Sequence, residues 1–138
     1  MRFPAFLLAL LCLCGLARAN EPPPPLAARA WLLIDQASGQ LLAAHNPGQK
    51  VEPASLTKIM TSYVVYAALR DGKLKRDQVV PVSEKAWKAI GSRMFIAPDQ
   101  RVTVDALLSG MVIQSGNDAS IALAEAVAGS EAAFASLM

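Results

Sequence analysis

The sequence predicts an α/β domain, carried here as its N-terminal part: a β-hairpin, then a mostly helical block, with the remaining strands expected downstream. Two short apolar runs flank a glycine turn near the start. Capped apolar segments of helical character fill the rest, and the last of them reaches Met138 with no Gly or Pro to close it. A chain of 138 residues can bury one modest core, but it is short for an enzyme that encloses a peptide substrate.

The first residues read as an export signal over residues 1–19. Arg2 gives a positive start, Phe6 to Leu13 an apolar centre, and Ala17-Arg18-Ala19 a small-x-small cleavage site, leaving Asn20 as the mature N-terminus. The apolar run from Phe3 to Leu16 falls short of the roughly 20 residues that a membrane span needs. Cys12 and Cys14 lie inside this segment, preceded by Leu11 and Leu13 rather than the small residue of lipoprotein processing. The mature chain therefore has no cysteine, which excludes a disulfide, a thiolate nucleophile and a Cys-ligated metal.

Losing Arg2 and Arg18 lowers Lys plus Arg from 13 to 11, equal to the 11 Asp plus Glu, so the mature net charge is zero. A neutral chain without a clustered basic face gives no reason to expect a nucleic-acid partner. His45 has no second His or Cys with which to share a metal. Followed by Asn46-Pro47-Gly48, it is expected as a solvated turn residue.

Residues 20–30 include Pro22 to Pro25 and are expected as an extended linker, with the folded part over 31–138. Trp31 to Asp35 and Gln40 to Ala44, separated by Ala37-Ser38-Gly39, predict the hairpin, at the edge of a larger sheet. Leu56 to Arg70, opened by Pro53-Ala54-Ser55 and stopped by Asp71-Gly72, is apolar on most faces and predicts a buried helix. Lys73 to Pro81 reads as a charged loop. Ser83 caps a short helix to Ile90, and Arg93 to Ile96 predicts a short strand before a turn at Pro98-Asp99. Thr103 caps a helix to Gln114, Asp118 is placed to cap another over Ala119 to Ala128 that stops at Gly129, and Ser130 starts a last one.

Ser55-Leu56-Thr57-Lys58 puts a hydroxyl and an amine at i and i+3, on one face of a helix with Cβ atoms about 5–6 Å apart. Serine needs a base to become a nucleophile. Lys58 can serve only as the neutral amine, a form favoured by burial, and Ile59, Met60, Val64 and Val65 are expected to bury it. Ser55 also lies at a helix N-terminus, where free N–H groups favour developing negative charge. The plain alternative makes Ser55 an N-cap and Lys58 a solvated residue, because Ser-x-x-Lys arises by chance in about half of chains of this length.

Glu52-Pro53-Ala54-Ser55-Leu56-Thr57-Lys58-Ile59-Met60-Thr61 resembles the active-site helix of the low-molecular-mass penicillin-binding proteins, the serine-type D-alanyl-D-alanine carboxypeptidases (peptidase S11-like). Ser-x-x-Lys, a Ser-x-Asn element and Lys-Thr-Gly form the signature of such proteins. Gln114-Ser115-Gly116-Asn117-Asp118-Ala119 supplies the second element, and Gly91-Ser92-Arg93-Met94-Phe95 extends the likeness. Lys-Thr-Gly occurs nowhere in the chain.

The resemblance implies a β-lactamase/DD-peptidase-like transpeptidase fold, seen incompletely, with Ser55 as acyl-ester nucleophile and Lys58 as general base. It also implies Ser115 as proton relay and Asn117 as substrate-orienting residue, with no metal and no other cofactor. The implied substrate is a peptidoglycan stem peptide, trimmed of its terminal D-Ala, with β-lactam antibiotics as inhibitors. The implied place is the periplasm or cell envelope, with membrane association only through a C-terminal anchor beyond these residues. A chain without Lys-Thr-Gly is expected to turn over little substrate by itself. Three alternatives stand beside this reading: a class A-like β-lactamase, for which Gly116 replaces the usual Asp; a DD-endopeptidase; and a truncated, non-catalytic cell-wall protein.

Overall fold

The computed structural model describes residues 22–138, so the expected export signal lies outside the described residues. The chain divides into two compact units, one ending at Val51 and the other running from Glu52 to Met138.

In the first unit, residues 22–28 form no regular structure. Strands β1 (Trp31–Ile34) and β2 (Leu41–His45) pair antiparallel, with Leu33 opposite Ala43 and Ile34 opposite Leu41. Leu42 is the extra residue of a bulge. The turn is built by Asp35, whose Oδ1 accepts from the Ser38 N–H at 2.7 Å and the Ser38 hydroxyl at 2.6 Å. Gly39 supplies the left-handed residue, at φ 71°. These contacts hold the Asp35 carboxyl below its ordinary value, the Ser38 hydroxyl contributing most and the Ser38 N–H next. His45 is the last residue of β2 rather than a turn residue, and its ring stacks on Trp31 at 6.4 Å.

The second unit begins with a 3₁₀ turn, Ala54–Leu56, that runs directly into α1 (Thr57–Arg70). A short ladder, β3 (Val79–Val80) with β4 (Val102–Thr103), closes the intervening loops. The other helices are α2 (Glu84–Trp87), α3 (Val104–Gln114), α4 (Asn117–Ala128) and α5 (Glu131–Leu137). Side-chain oxygens of Ser83, Thr103 and Ser130 cap α2, α3 and α5, accepting from Ala86, Ala106 and Ala133. Helix α4 is central and packs on the other four helices. The core is built from Val65, Val80, Val104, Leu107, Met111 and Leu123, all almost fully buried.

In the second unit, four expectations about the elements require correction. Helix α1 is not buried on most faces: Thr61, Val65 and Ala68 face the core, while Ile59 and Tyr63 are each 69 % exposed. The charged loop 73–81 contains strand β3, because Val79 and Val80 pair with Val102 and Thr103. Residues 93–96 form no strand, since the amides of Met94, Phe95 and Ile96 point at a carboxylate instead of a neighbouring strand, and Phe95 takes φ 64°. Asp118 does not cap its helix: α4 starts at Asn117, and Asp118 is turned inward with no exposed surface.

Candidate active site

The chain turns sharply into α1. Ala54 adopts φ 46°, a left-handed conformation that costs a non-glycine residue of order 1–2 kcal/mol and brings Ser55 out at the start of the helical segment. One helical turn later, Lys58 reaches back so that its Nζ lies 3.3 Å from Ser55 Oγ. The i, i+3 spacing therefore does place amine beside hydroxyl.

The second motif arrives from the junction of α3 and α4. Ser115 is the C-cap of α3, itself left-handed at φ 56° and ψ 37°, and its hydroxyl lies 3.0 Å from Ser55 Oγ. Of the four non-glycine residues with positive φ among the described residues, Ala54 and Ser115 thus flank Ser55 directly. Strain of this kind collects where the surrounding structure holds a functional geometry. Asn117 opens α4 and bridges two elements: its Oδ1 accepts from Lys58 Nζ at 2.7 Å, and its Nδ2 donates to the Ile90 carbonyl at 2.7 Å. Gly91 makes room for that amide, since a Cβ there would lie 3.0 Å from Asn117 Nδ2.

All four residues singled out from the sequence, Ser55, Lys58, Ser115 and Asn117, therefore meet at one point. Lys58 is half-buried rather than buried, for the reason seen in α1: Ile59 and Met60 point to solvent, and shielding comes from Asn117 and the core side of the helix. A cleft of about 450 Å³ opens on Ser55, Lys58 and Ser115, floored by Ile59, Tyr66 and Met111. A second, of about 550 Å³, lies on the other side of Lys58 between Thr61, Ile90, Asn117 and Phe134. No group of three His, Cys, Asp or Glu among the described residues is placed to hold a metal ion.

The linked groups amount to a proton path. Ser55 touches one group that can take its proton, Lys58, and a second hydroxyl, Ser115, that can pass one on. Such an arrangement suits nucleophilic acyl transfer, in which a serine is activated by a neighbouring base. Sequence reasoning named Asp118 and Gly91 but missed the contacts through which they support the site. Asp118 stands next to Asn117 in the sequence, but its partners lie 22 to 24 residues earlier, and no local pattern links them.

Comparison with known proteins gives a consistent result. The D-alanyl-D-alanine carboxypeptidase family, peptidase S11, matches residues 17–138. D-alanyl-D-alanine carboxypeptidase DacC of Escherichia coli is 48 % identical, over 97 % of this chain and 35 % of its own length. Among solved structures, penicillin binding protein 5 of Haemophilus influenzae superimposes with a TM-score of 0.74 at 42 % identity, covering 85 % of this chain and 35 % of its own. Penicillin-Binding Protein D2 of Listeria monocytogenes, solved in an ampicillin-bound form, gives a TM-score of 0.64 at 25 % identity over 79 % of this chain and 43 % of its own. The chain spans about a third of the length of the curated relatives it matches.

Proposed function

Because the chain belongs to the D-alanyl-D-alanine carboxypeptidase family, we propose that it carries the nucleophile, base and proton relay of a serine-type enzyme that removes the terminal D-Ala from peptidoglycan stem peptides. The observation that carries this reading is the meeting at Ser55 Oγ of Lys58 Nζ, at 3.3 Å, and Ser115 Oγ, at 3.0 Å, groups brought from α1 and from the junction of α3 and α4.

Ser55 Oγ attacks the carbonyl carbon of the penultimate D-Ala while its proton passes to the Lys58 amine, acting as general base. Negative charge develops on the carbonyl oxygen, where backbone N–H groups, that of Ser55 among them, stabilise it. Collapse breaks the peptide bond: Ser115 gives its proton to the departing D-Ala nitrogen and regains one directly from the Lys58 ammonium, because Ser55 Oγ, now bonded to the acyl carbon, has none to pass. The stem peptide remains as an ester on Ser55. Water then attacks that ester, again giving up its proton to Lys58, and releases the shortened peptide with Ser55 restored. Asn117 keeps Lys58 in place through Oδ1.

β-Lactams would acylate Ser55 by the same attack, their strained amide replacing the peptide bond; the ampicillin-bound Listeria relative supports this. The reading of residues 1–19 as an export signal supports a site of action in the periplasm or cell envelope, where such stem peptides occur. Gly116 argues against a class A-like β-lactamase with Asp at this position, because a Cβ there would lie 2.9 Å from Asp118 Oδ1.

The test is release of D-Ala from diacetyl-Lys-D-Ala-D-Ala by protein expressed from its complete open reading frame, beside a Ser55→Ala variant. Turnover by the parent and none by the variant is expected. Equal release by both would refute the assignment of Ser55.

A further inference from the structure

Asp118 has no exposed surface and, among the described residues, is the one carboxylate in the buried core. A buried carboxylate is tolerated only where its oxygens are fully partnered. Its partners are all backbone N–H groups: Met94 at 3.0 Å and Ala119 at 2.9 Å on Oδ1, Phe95 at 2.8 Å and Ile96 at 3.2 Å on Oδ2. Four donors converging on two oxygens suit a carboxylate and no amide, because an amide nitrogen in either place would face an N–H. Three of these donors belong to consecutive residues of a segment that has no strand or helix to bond with. Asp118 therefore stands in for the missing sheet neighbour.

That segment is fastened to the Ser115–Asn117 turn at further points. The Asn117 N–H donates to the Ser92 carbonyl at 2.7 Å, and the Ser92 hydroxyl donates to the Gln114 carbonyl at 2.7 Å. The Asn117 side chain holds Ile90. Gly116 lies against the same carboxylate with no room for a Cβ, which would sit 2.9 Å from Asp118 Oδ1 and 3.3 Å from Met94 N. The middle residue of the Ser-x-Asn turn is thus small because Asp118 occupies the space beside it.

We propose that Asp118 is a positioning residue for the reaction: its carboxylate clamps residues 94–96 to the start of α4 and thereby holds Ser115 and Asn117 at their distances from Ser55 and Lys58. This rests on the acyl-transfer reading above. Asp118 touches neither substrate nor the reacting atoms. Its effect is on geometry, and a misplacement of about 1 Å at a reacting group can cost about 100-fold in rate.

The experiment uses protein from the complete open reading frame, as parent, Asp118→Asn, Gly116→Ala and, for a loss of stability remote from the turn, Val80→Ala. Two quantities are read: backbone amide exchange at Met94, Phe95 and Ile96 against Val65, and the rate of Ser55 acylation by a fluorescent penicillin per folded molecule. Asp118→Asn is expected to speed exchange at the three loop amides about tenfold or more while Val65 stays protected. It is expected to slow acylation about 10- to 100-fold. In a Ser115→Ala background the same change should cost less than about threefold, because residues acting as one unit are not additive. Val80→Ala should melt earlier yet acylate at the parental rate.

Unchanged acylation in Asp118→Asn, or an equal loss with and without Ser115, overturns the proposal. If Asp118→Asn does not fold in the cold, Gly116→Ala takes its place with the same expectations. Failure of both to fold would make Asp118 a residue of the core alone and also overturns it. A parent that is not acylated at Ser55 defeats the functional reading, while the exchange pattern still decides whether the clamp exists.

Discussion

Gly110→Ala puts a methyl group where α3 meets the 94–96 segment. The added Cβ would lie 2.2 Å from Met94 Sδ and 3.0 Å from both Met94 Cβ and Cε. Because the clash reaches from the root of the Met94 side chain to its tip, a rotation of the end alone cannot relieve it. Overpacking of a core costs roughly 1–3 kcal/mol, and a clash along a whole side chain belongs in the upper half of that range. Replacing Gly by Ala inside a helix returns about 1 kcal/mol of propensity. The net loss is about 1–2 kcal/mol, and at about 4–8 °C per kcal/mol for a unit of this size the melting midpoint should fall by roughly 4–16 °C. Thermal unfolding followed by circular dichroism reads this directly. The sign should reverse when Met94 is first shortened to Ala: with the clashing atoms gone, Gly110→Ala should be neutral or stabilising by up to about 1 kcal/mol. A Gly110→Ala protein that is more stable than the parent, or one equally destabilised in both backgrounds, would refute the packing argument.

Ser115→Ala should lower acylation of Ser55 by about 100- to 10,000-fold if the hydroxyl transfers a proton, with melting nearly unchanged, as stopped-flow labelling and calorimetry together can show. Leu123→Ala, at a fully buried position of the central helix, should cost about 2–5 kcal/mol in urea unfolding. The Asp35 carboxyl titrates below its ordinary 3.8, so the stability it lends the hairpin turn is complete above that pH and is lost as pH falls through the lower folded value. A ¹³C carboxyl titration should give a midpoint under 3.8 that rises in Ser38→Ala, and a midpoint at or above 3.8 would contradict the turn geometry.

Much of this was readable from local chemistry. The hairpin follows from two apolar runs about a turn with Asp35, Ser38 and Gly39, and the Ser83, Thr103 and Ser130 caps each sit where a hydroxyl precedes a helical run. Ser55 and Lys58 share a face because i and i+3 do so in any helix. What was not readable depends on partners far along the chain. Arg93 to Ile96 has the composition of a strand, yet its amides are claimed by Asp118, more than 20 residues on, and a lone Asp carries no mark of what it will face. Val79 and Val80 were hidden in a charged stretch because a two-residue ladder offers no periodicity. The apolar content of α1 overstated its burial, since hydrophobicity tells what a face tolerates and not what covers it.

The most direct measurement is intact mass before and after incubation with benzylpenicillin, followed by peptide mapping, on protein expressed from the complete open reading frame. One equivalent of covalent penicilloyl adduct, located on the peptide that contains Ser55 and absent from Ser55→Ala, is the predicted result. An adduct on any other residue, or a parent that remains unlabelled while folded, would contradict the claim that Ser55, Lys58 and Ser115 form an acyl-transfer site.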